Sequence, residues 1–142
     1  MEPAFLGLVL DSSVLVAAER RKLTTPEAIK QIRKVISDVP IVICALAVAE
    51  LGHGIYRADT PERSRQRRQF LDELKAQVPI HPVTEATAEI MARVGAQQAA
   101  KGITVPIADL IIGACALELG YSVGTSNIRD FGHIPGLNLV HL

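Results

Sequence analysis

The sequence predicts an α/β protein in which a parallel sheet is covered by helices on both faces. Three observations carry that prediction. Short, unbroken apolar runs recur along the chain, stretches of helical periodicity separate them, and cap or breaker residues mark the junctions. Strands that are apolar without alternation are buried on both faces, and regular strand–helix alternation gives parallel connections. The chain has 142 residues, enough for one sizeable core, and residues 1–142 read as a single domain. Hydrophobic residues make up 49% and aromatics 4%, with no Trp, so the core is mostly Leu, Ile, Val and Ala.

Taken in order, residues 6–10 read as the first strand. TTPEAIKQIRKVI reads as a helix, with Thr25 as cap, Pro26 at the first helical position and a stripe of Ile29, Ile32 and Ile36. Pro40 restarts the chain as a strand at 41–43, and ALAVAELGHGIYR follows as an apolar helix. PERSRQRRQFLDELKAQ is a third helix, capped by Thr60 and buried along Phe70, Leu71 and Leu74. Residues 78–81 form a short third strand. TEATAEIMARVGAQQAAKG is a helix entered at Thr84 and left at Gly102, and PIADLIIGACALELG is another, opened by Pro106 and closed by Gly120. Residues 121–125 are the fourth strand and LNLVHL the fifth. Internal repeats, low-complexity tracts and interdomain linkers are absent from the sequence.

Charge excludes several function classes. The chain carries 15 basic and 15 acidic residues, so no overall bias draws it to nucleic acid or membrane. The distribution is uneven: residues 19–34 hold six basic and two acidic side chains, and residues 76–142 hold three basic and five acidic. A basic patch can come only from the first half. No apolar stretch reaches the length of a membrane span. The N-terminal MEPAFLGLVLD lacks a basic leader and is interrupted by Asp11, so it reads as a strand and not a signal peptide. Cys44 and Cys115 lie in apolar runs without metal-ligand spacing and read as buried thiols, which makes the cytoplasm the default location.

The candidate site begins with VLDSSVLV, where a buried-type strand ends on Asp11. In open parallel sheets, ligands bind beyond the carboxyl ends of the strands. Three further acids are set among apolar or small residues: Glu50 in ALAVAELGHG, Asp109 in VPIADLIIGA and Asp130 in TSNIRDF. A buried carboxylate without a partner is costly. Asp109 alone would suit the dipole of its helix, but four acids directed to one sheet edge point to a shared site. Coulomb repulsion makes a cation their natural counter-charge, and all-oxygen ligands favour Mg²⁺ or Mn²⁺ over zinc. Such ions activate water and stabilise leaving oxygens in phosphodiester cleavage. Ser12, Ser13, Thr125 and Asn127 are placed to orient carboxylates or waters, and Ser13 and Asn127 equally fit turn positions.

Other motifs are weak or absent. Glu50 and His53 form a single E-x-x-H, whereas di-iron bundles use two on a four-helix scaffold; His53 reads as partly buried or as a site-edge contact. The remaining histidines have no ligand spacing. Glycine-rich dinucleotide and phosphate loops are absent, as is a nucleophile elbow around Ser12 and Ser13. The run RSRQRRQ (Arg63, Arg65, Arg67, Arg68) fits either a solvated helix face or phosphate contacts beside the acids. A phosphoryl-accepting receiver module would place a second acid beside Asp11 and a Lys late in the chain; Ser12 follows Asp11, and no Lys follows Lys101.

Together, LDSSVLV, AVAELGHG, ADLIIGACAL and TSNIRDFGHIPGL resemble the PIN domain, and more narrowly the VapC-type toxins of prokaryotic toxin–antitoxin pairs. The resemblance spans nearly the whole chain, with the third and fourth blocks the most specific. It implies an α/β/α sandwich with a central, mainly parallel five-stranded sheet, and a Mg²⁺- or Mn²⁺-dependent endoribonuclease. Asp11, Glu50, Asp109 and Asp130 take the acidic, metal-holding positions, with Ser13 and Asn127 as polar positions near the metal. Ser12 stands where the family more often has Thr, and Ala108 where it often has a polar residue. The resemblance further implies an RNA substrate, a cognate antitoxin whose tail covers the site, and a homodimer. The alternative is a PIN-like module that binds RNA or protein without cutting.

Overall fold

The structure, a computed structural model, describes residues 6–142. The MEPAF segment read against a signal peptide lies outside the described residues. Within them the order is β1 (Leu8–Leu10), α1 (Ser12–Arg20), α2 (Thr25–Ile36), β2 (Ile41–Cys44), α3 (Ala45–Tyr56), α4 (Pro61–Gln77), β3 (Ile80–His81), α5 (Glu85–Ala99), α6 (Ile107–Leu119), β4 (Ser122–Thr125), α7 (Ile128–Phe131) and β5 (Leu139–His141). The five strands form one sheet in the order β3-β2-β1-β4-β5, and every pairing is parallel.

The pleat divides the core into two layers. Leu8 and Leu10 of β1 and Ile41 and Ile43 of β2 face a cluster with residues from α1, α2, α3 and α4. Val9, Cys44 and Val123 face the opposite cluster, with Val94, Ile112, Cys115 and Phe131 from α5, α6 and α7. Alternate residues of one strand therefore enter different layers, which is why the strands read as continuous apolar runs. Gly7 just before β1 lies under the Tyr121 ring; a Cβ there would come within 2.5 Å of the ring. Gly120 closes α6 in the left-handed conformation at φ 71°, which a Cβ would disfavour.

Two helices were not foreseen. α1 starts directly after Asp11, with no turn residues between strand and helix, and buries Ser12, Val14, Leu15 and Ala18. α7 is a single turn. The first strand is shorter than expected, and the third keeps only Ile80 and His81. The α2 cap also moves by one residue. Thr24 accepts from the Glu27 amide while Glu27 reaches back to Thr24, a reciprocal capping box. Thr25 is instead fully buried, and its hydroxyl donates to the Phe70 carbonyl of α4 at 2.7 Å.

That hydrogen bond is the buried polar tie between α2 and α4. Thr25→Val keeps the shape and removes the donor, so it should lower stability by about 1 kcal/mol. Urea unfolding should show a lower midpoint with an unchanged slope; an unchanged midpoint would mean that the tie contributes nothing.

Candidate functional site

The strand order reverses at β1: β2 and β3 lie on one side, β4 and β5 on the other. The crevice beyond the carboxyl ends of β1 and β4 is therefore the topological switch point, where open α/β sheets bind ligands. Asp11 follows β1 there, and its amide donates to the Gly124 carbonyl of β4 at 2.8 Å. Thr125 is the last residue of β4.

Asp11 is 7% exposed, and its Oδ2 accepts hydrogen bonds from Ser13 Oγ at 2.7 Å and Thr125 Oγ1 at 2.9 Å. Hydrogen bonds to a charged carboxylate contribute about 1.5–3 kcal/mol each and offset part of the burial cost. Both donors use the same oxygen, and among the described residues no donor reaches Oδ1. Thr125 Oγ1 also accepts from the Asn127 amide at 2.9 Å, and Asn127 Nδ2 donates to Asp130 Oδ2 at 2.8 Å. One polar chain thus runs from Asp11 through Thr125 and Asn127 to Asp130. On the other side, Ser12 Oγ donates to Glu50 Oε1 at 3.0 Å, linking the start of α1 to the middle of α3.

Asp109 stands in the first turn of α6. Burial holds its carboxyl above the ordinary range, and the charges of Asp130, Asp11 and Glu50 raise it further. Glu50 is also raised, first by burial and then by the Asp11 charge, against the lowering effect of Ser12. The four acids expected to converge therefore act on one another. They do so through space: among the described residues, no three Asp, Glu, His or Cys side chains are grouped closely enough to hold a metal ion as they stand.

The remaining expectations divide. Ser13 lies in α1 and bonds Asp11, so it is not a turn residue, while Asn127 occupies the N-cap position of α7 and braces Asp130 through its side chain. Ser12 and Thr125 make the contacts their composition suggested. His53 is exposed on α3, not partly buried. The basic run of α4 splits into separate contacts. Arg63 pairs with Asp59 at 3.1 Å, and Arg68 lies 3.7 Å from Asp72. Arg67 donates to the Gly54 carbonyl at 2.7 Å and lies 3.8 Å from Glu19. Arg67 and Arg20 also line a cavity of about 150 Å³ that has Glu50 in its wall. Arg20 had no signal in the sequence as a neighbour of the acids, because its place depends on the unforeseen α1.

The PIN domain family model matches residues 8–137. The chain belongs to the PIN domain family. This PIN domain is similar to Ribonuclease VapC1 of Rickettsia felis, at 29% identity over 95% of this chain and 96% of the relative. It is similar also to Ribonuclease VapC of Rickettsia bellii, at 28% identity over the same shares. Among solved structures, VapBC2 from Rickettsia felis bound to a promoter DNA fragment aligns with TM-score 0.82 at 20% identity, covering 96% of this chain and 98% of that one. That likeness establishes the shared α/β/α fold. VapBC-5 from Mycobacterium tuberculosis, a member of the VapBC family of toxin–antitoxin systems, aligns with TM-score 0.75 at 28% identity, covering 99% of this chain and 100% of that one. No helix among the described residues is long and apolar enough to cross a membrane.

The raised Asp109 carboxyl has a definite sign in stability. The folded state binds that proton more tightly than the unfolded state, so stability falls as pH rises through the ordinary carboxyl range toward the raised value. Asp109→Asn removes that loss. Without added divalent cation, the melting temperature of Asp109→Asn relative to the parent should be near zero difference at about pH 4 and positive by about pH 7. A constant difference across this range would count against the charge coupling.

Proposed function

We propose that this PIN domain is a metal-dependent endoribonuclease, the toxin of a type II toxin–antitoxin pair. The observation that carries the proposal is the hydrogen-bonded chain from Asp11 at the switch point through Thr125 and Asn127 to Asp130, with Glu50 held by the neighbouring Ser12 and Asp109 within range of all three charges. Full-length similarity to relatives named Ribonuclease VapC supports RNA as the substrate. Similarity to a VapBC toxin–antitoxin member supports a cognate antitoxin as partner. The two free, buried thiols fit a reducing cytoplasm.

The residues present fit a divalent cation. Burial raises Asp109 and Glu50 first and neighbouring carboxylate charge adds to it, a charge that a cation would relieve, and the donor set is all oxygen, which suits Mg²⁺ or Mn²⁺. Asp11 through Oδ1, Glu50, Asp109 and Asp130 would hold it. Such an ion supplies positive charge to the scissile phosphate and lowers the pKa of a water in its reach.

The chain's own side chains do the positioning. Ser13 and Thr125 fix the Asp11 carboxylate by hydrogen-bonding Oδ2, and no donor among the described residues takes Oδ1. Asn127 holds Asp130, and Ser12 holds Glu50. Arg20 and Arg67 beside Glu50 offer positive charge to the RNA backbone on that flank.

The test is cleavage of structured RNAs with Mn²⁺ or Mg²⁺, with and without chelator, beside Asp11→Asn. Discrete, metal-requiring cleavage should fall at least ~1000-fold in Asp11→Asn, about 4 kcal/mol of barrier. Mn²⁺ should raise the melting temperature of the parent but not of Asp11→Asn. Thr125→Val should weaken Mn²⁺ binding about 10–100-fold, because it frees the carboxylate without removing it. Full activity in Asp11→Asn would sink the mechanism. Metal binding without cleavage would instead favour a non-cutting PIN-like binder of RNA or protein.

A further inference from the structure

A second cluster lies where β2 and β3 meet α6. Cys44 ends β2 and Cys115 sits in the middle of α6; 71 residues apart in sequence, their sulfur atoms lie 3.0 Å from each other. Both side chains are fully buried, and both are free thiols. That approach is closer than two sulfur atoms packed merely as apolar neighbours, and the Cys115 thiol donates its hydrogen to Cys44.

A second pair runs alongside. His81 is the register partner of Cys44 on β3, so both side chains leave the sheet on the same face. Glu118 lies three residues beyond Cys115, on the same face of α6. His81 Nε2 and Glu118 Oε1 are 3.1 Å apart, and the same Glu118 oxygen accepts from Thr87 Oγ1 at 2.6 Å. The sheet and α6 are thus joined by two parallel rungs, Cys44–Cys115 and His81–Glu118. The outer rung is partly open to solvent, its side chains 18% and 22% exposed, while the inner rung is closed.

We propose that Cys44 and Cys115 are a reversible redox site that closes to an intramolecular disulfide, with a hydroperoxide as oxidant. The geometry supplies the pair already in contact. The hydrogen bond from Cys115 favours the Cys44 thiolate, and nearby His81 adds to this, so Cys44 is the attacking sulfur. Cys115 is pushed the other way by the same contact and keeps its proton. The Cys44 thiolate attacks one peroxide oxygen; the O–O bond breaks, and the departing hydroxide takes the proton that Cys44 lost and leaves as water. Cys115 sulfur then attacks the sulfur of the Cys44 sulfenic acid; the S–O bond breaks, and hydroxide leaves with the Cys115 proton as a second water. Two thiols lose two electrons in total, and the peroxide gains them.

The bond ties the start of α3 to α6, the helices that carry Glu50 and Asp109. It also closes a loop of more than 70 residues, which restricts the unfolded chain. The proposal stands independently of nuclease activity, and its test reads no cleavage. The full chain, folded and fully reduced, is treated with hydrogen peroxide and analysed by intact mass and peptide mapping. The expected result is loss of two hydrogens, a single cross-linked peptide pair containing Cys44 and Cys115, and reversal by dithiothreitol. The melting temperature should rise by about 10 °C on oxidation and return on reduction. In Cys115→Ala, the same treatment should give no cross-link within the chain and no rise in melting temperature. Unchanged mass, oxygen added to either cysteine of the parent, a bond between two chains, or a disulfide that fails to raise the melting temperature would each overturn the proposal.

Discussion

A carboxylate must be hydrogen-bonded and oriented at the end of a strand that is otherwise wholly buried, and the site is organised around meeting that demand. Leu8, Val9 and Leu10 have no exposure, and Asp11 follows them without a break. Water cannot satisfy the Asp11 carboxylate from all sides. The partner comes from β4, the strand that the topology sets beside β1 on its far side. Thr125, itself fully buried, turns its hydroxyl to Asp11 Oδ2 and takes a hydrogen bond from the Asn127 amide in return. Register between β1 and β4 is therefore a condition of the site as well as of the sheet: a slip of one residue would turn Thr125 to the other face.

The other acids are set on helices that the same sheet anchors. α3 leaves β2 at Cys44 and presents Glu50 to Ser12 at the start of α1. α6 brings Asp109 on its first turn, and the segment after β4 brings Asp130 within reach of Asn127. Like charges so arranged repel, and the raised carboxyls of Glu50 and Asp109 register that repulsion on top of burial. The folded core supplies the free energy that holds them there. A site that costs stability in isolation and regains it with a counter-cation is the expected form of a binding centre built from carboxylates.

α6 has a second attachment to the sheet, distinct from the carboxylates. The Cys44–Cys115 contact and the His81–Glu118 pair lie side by side because register partners on parallel strands share a face and residues three apart on a helix share a face. α6 therefore carries an acid of the site near one end and both links to the β2–β3 side of the sheet in its later turns. Its packing against the sheet positions Asp109, and the two rungs are part of that packing.

Much of this was legible in the residues. The apolar runs predicted five strands, Thr60 and Thr84 marked the caps of α4 and α5, and Gly120 marked the end of α6, because these signals are local: a hydroxyl bonding an amide within one turn, or a residue without a Cβ at positive φ. Asp11 stood out as a candidate site residue for an equally local reason, a charge ending an apolar run. The sequence did not reveal α1, whose start gives no turn signal because Asp11 itself occupies the N-cap position, nor that Thr24 rather than Thr25 caps α2. Those depend on burial: Thr25 is drawn inward by the Phe70 carbonyl, 45 residues away. By itself the sequence determined the fold class, the strands and the identity of the acids, since periodicity and side-chain chemistry are properties of neighbouring residues. That Thr125 meets Asp11, that Ser12 meets Glu50 and that Cys44 meets Cys115 were decided by the tertiary structure alone, because those contacts join residues far apart in the chain and arise only when strand order and register bring them together.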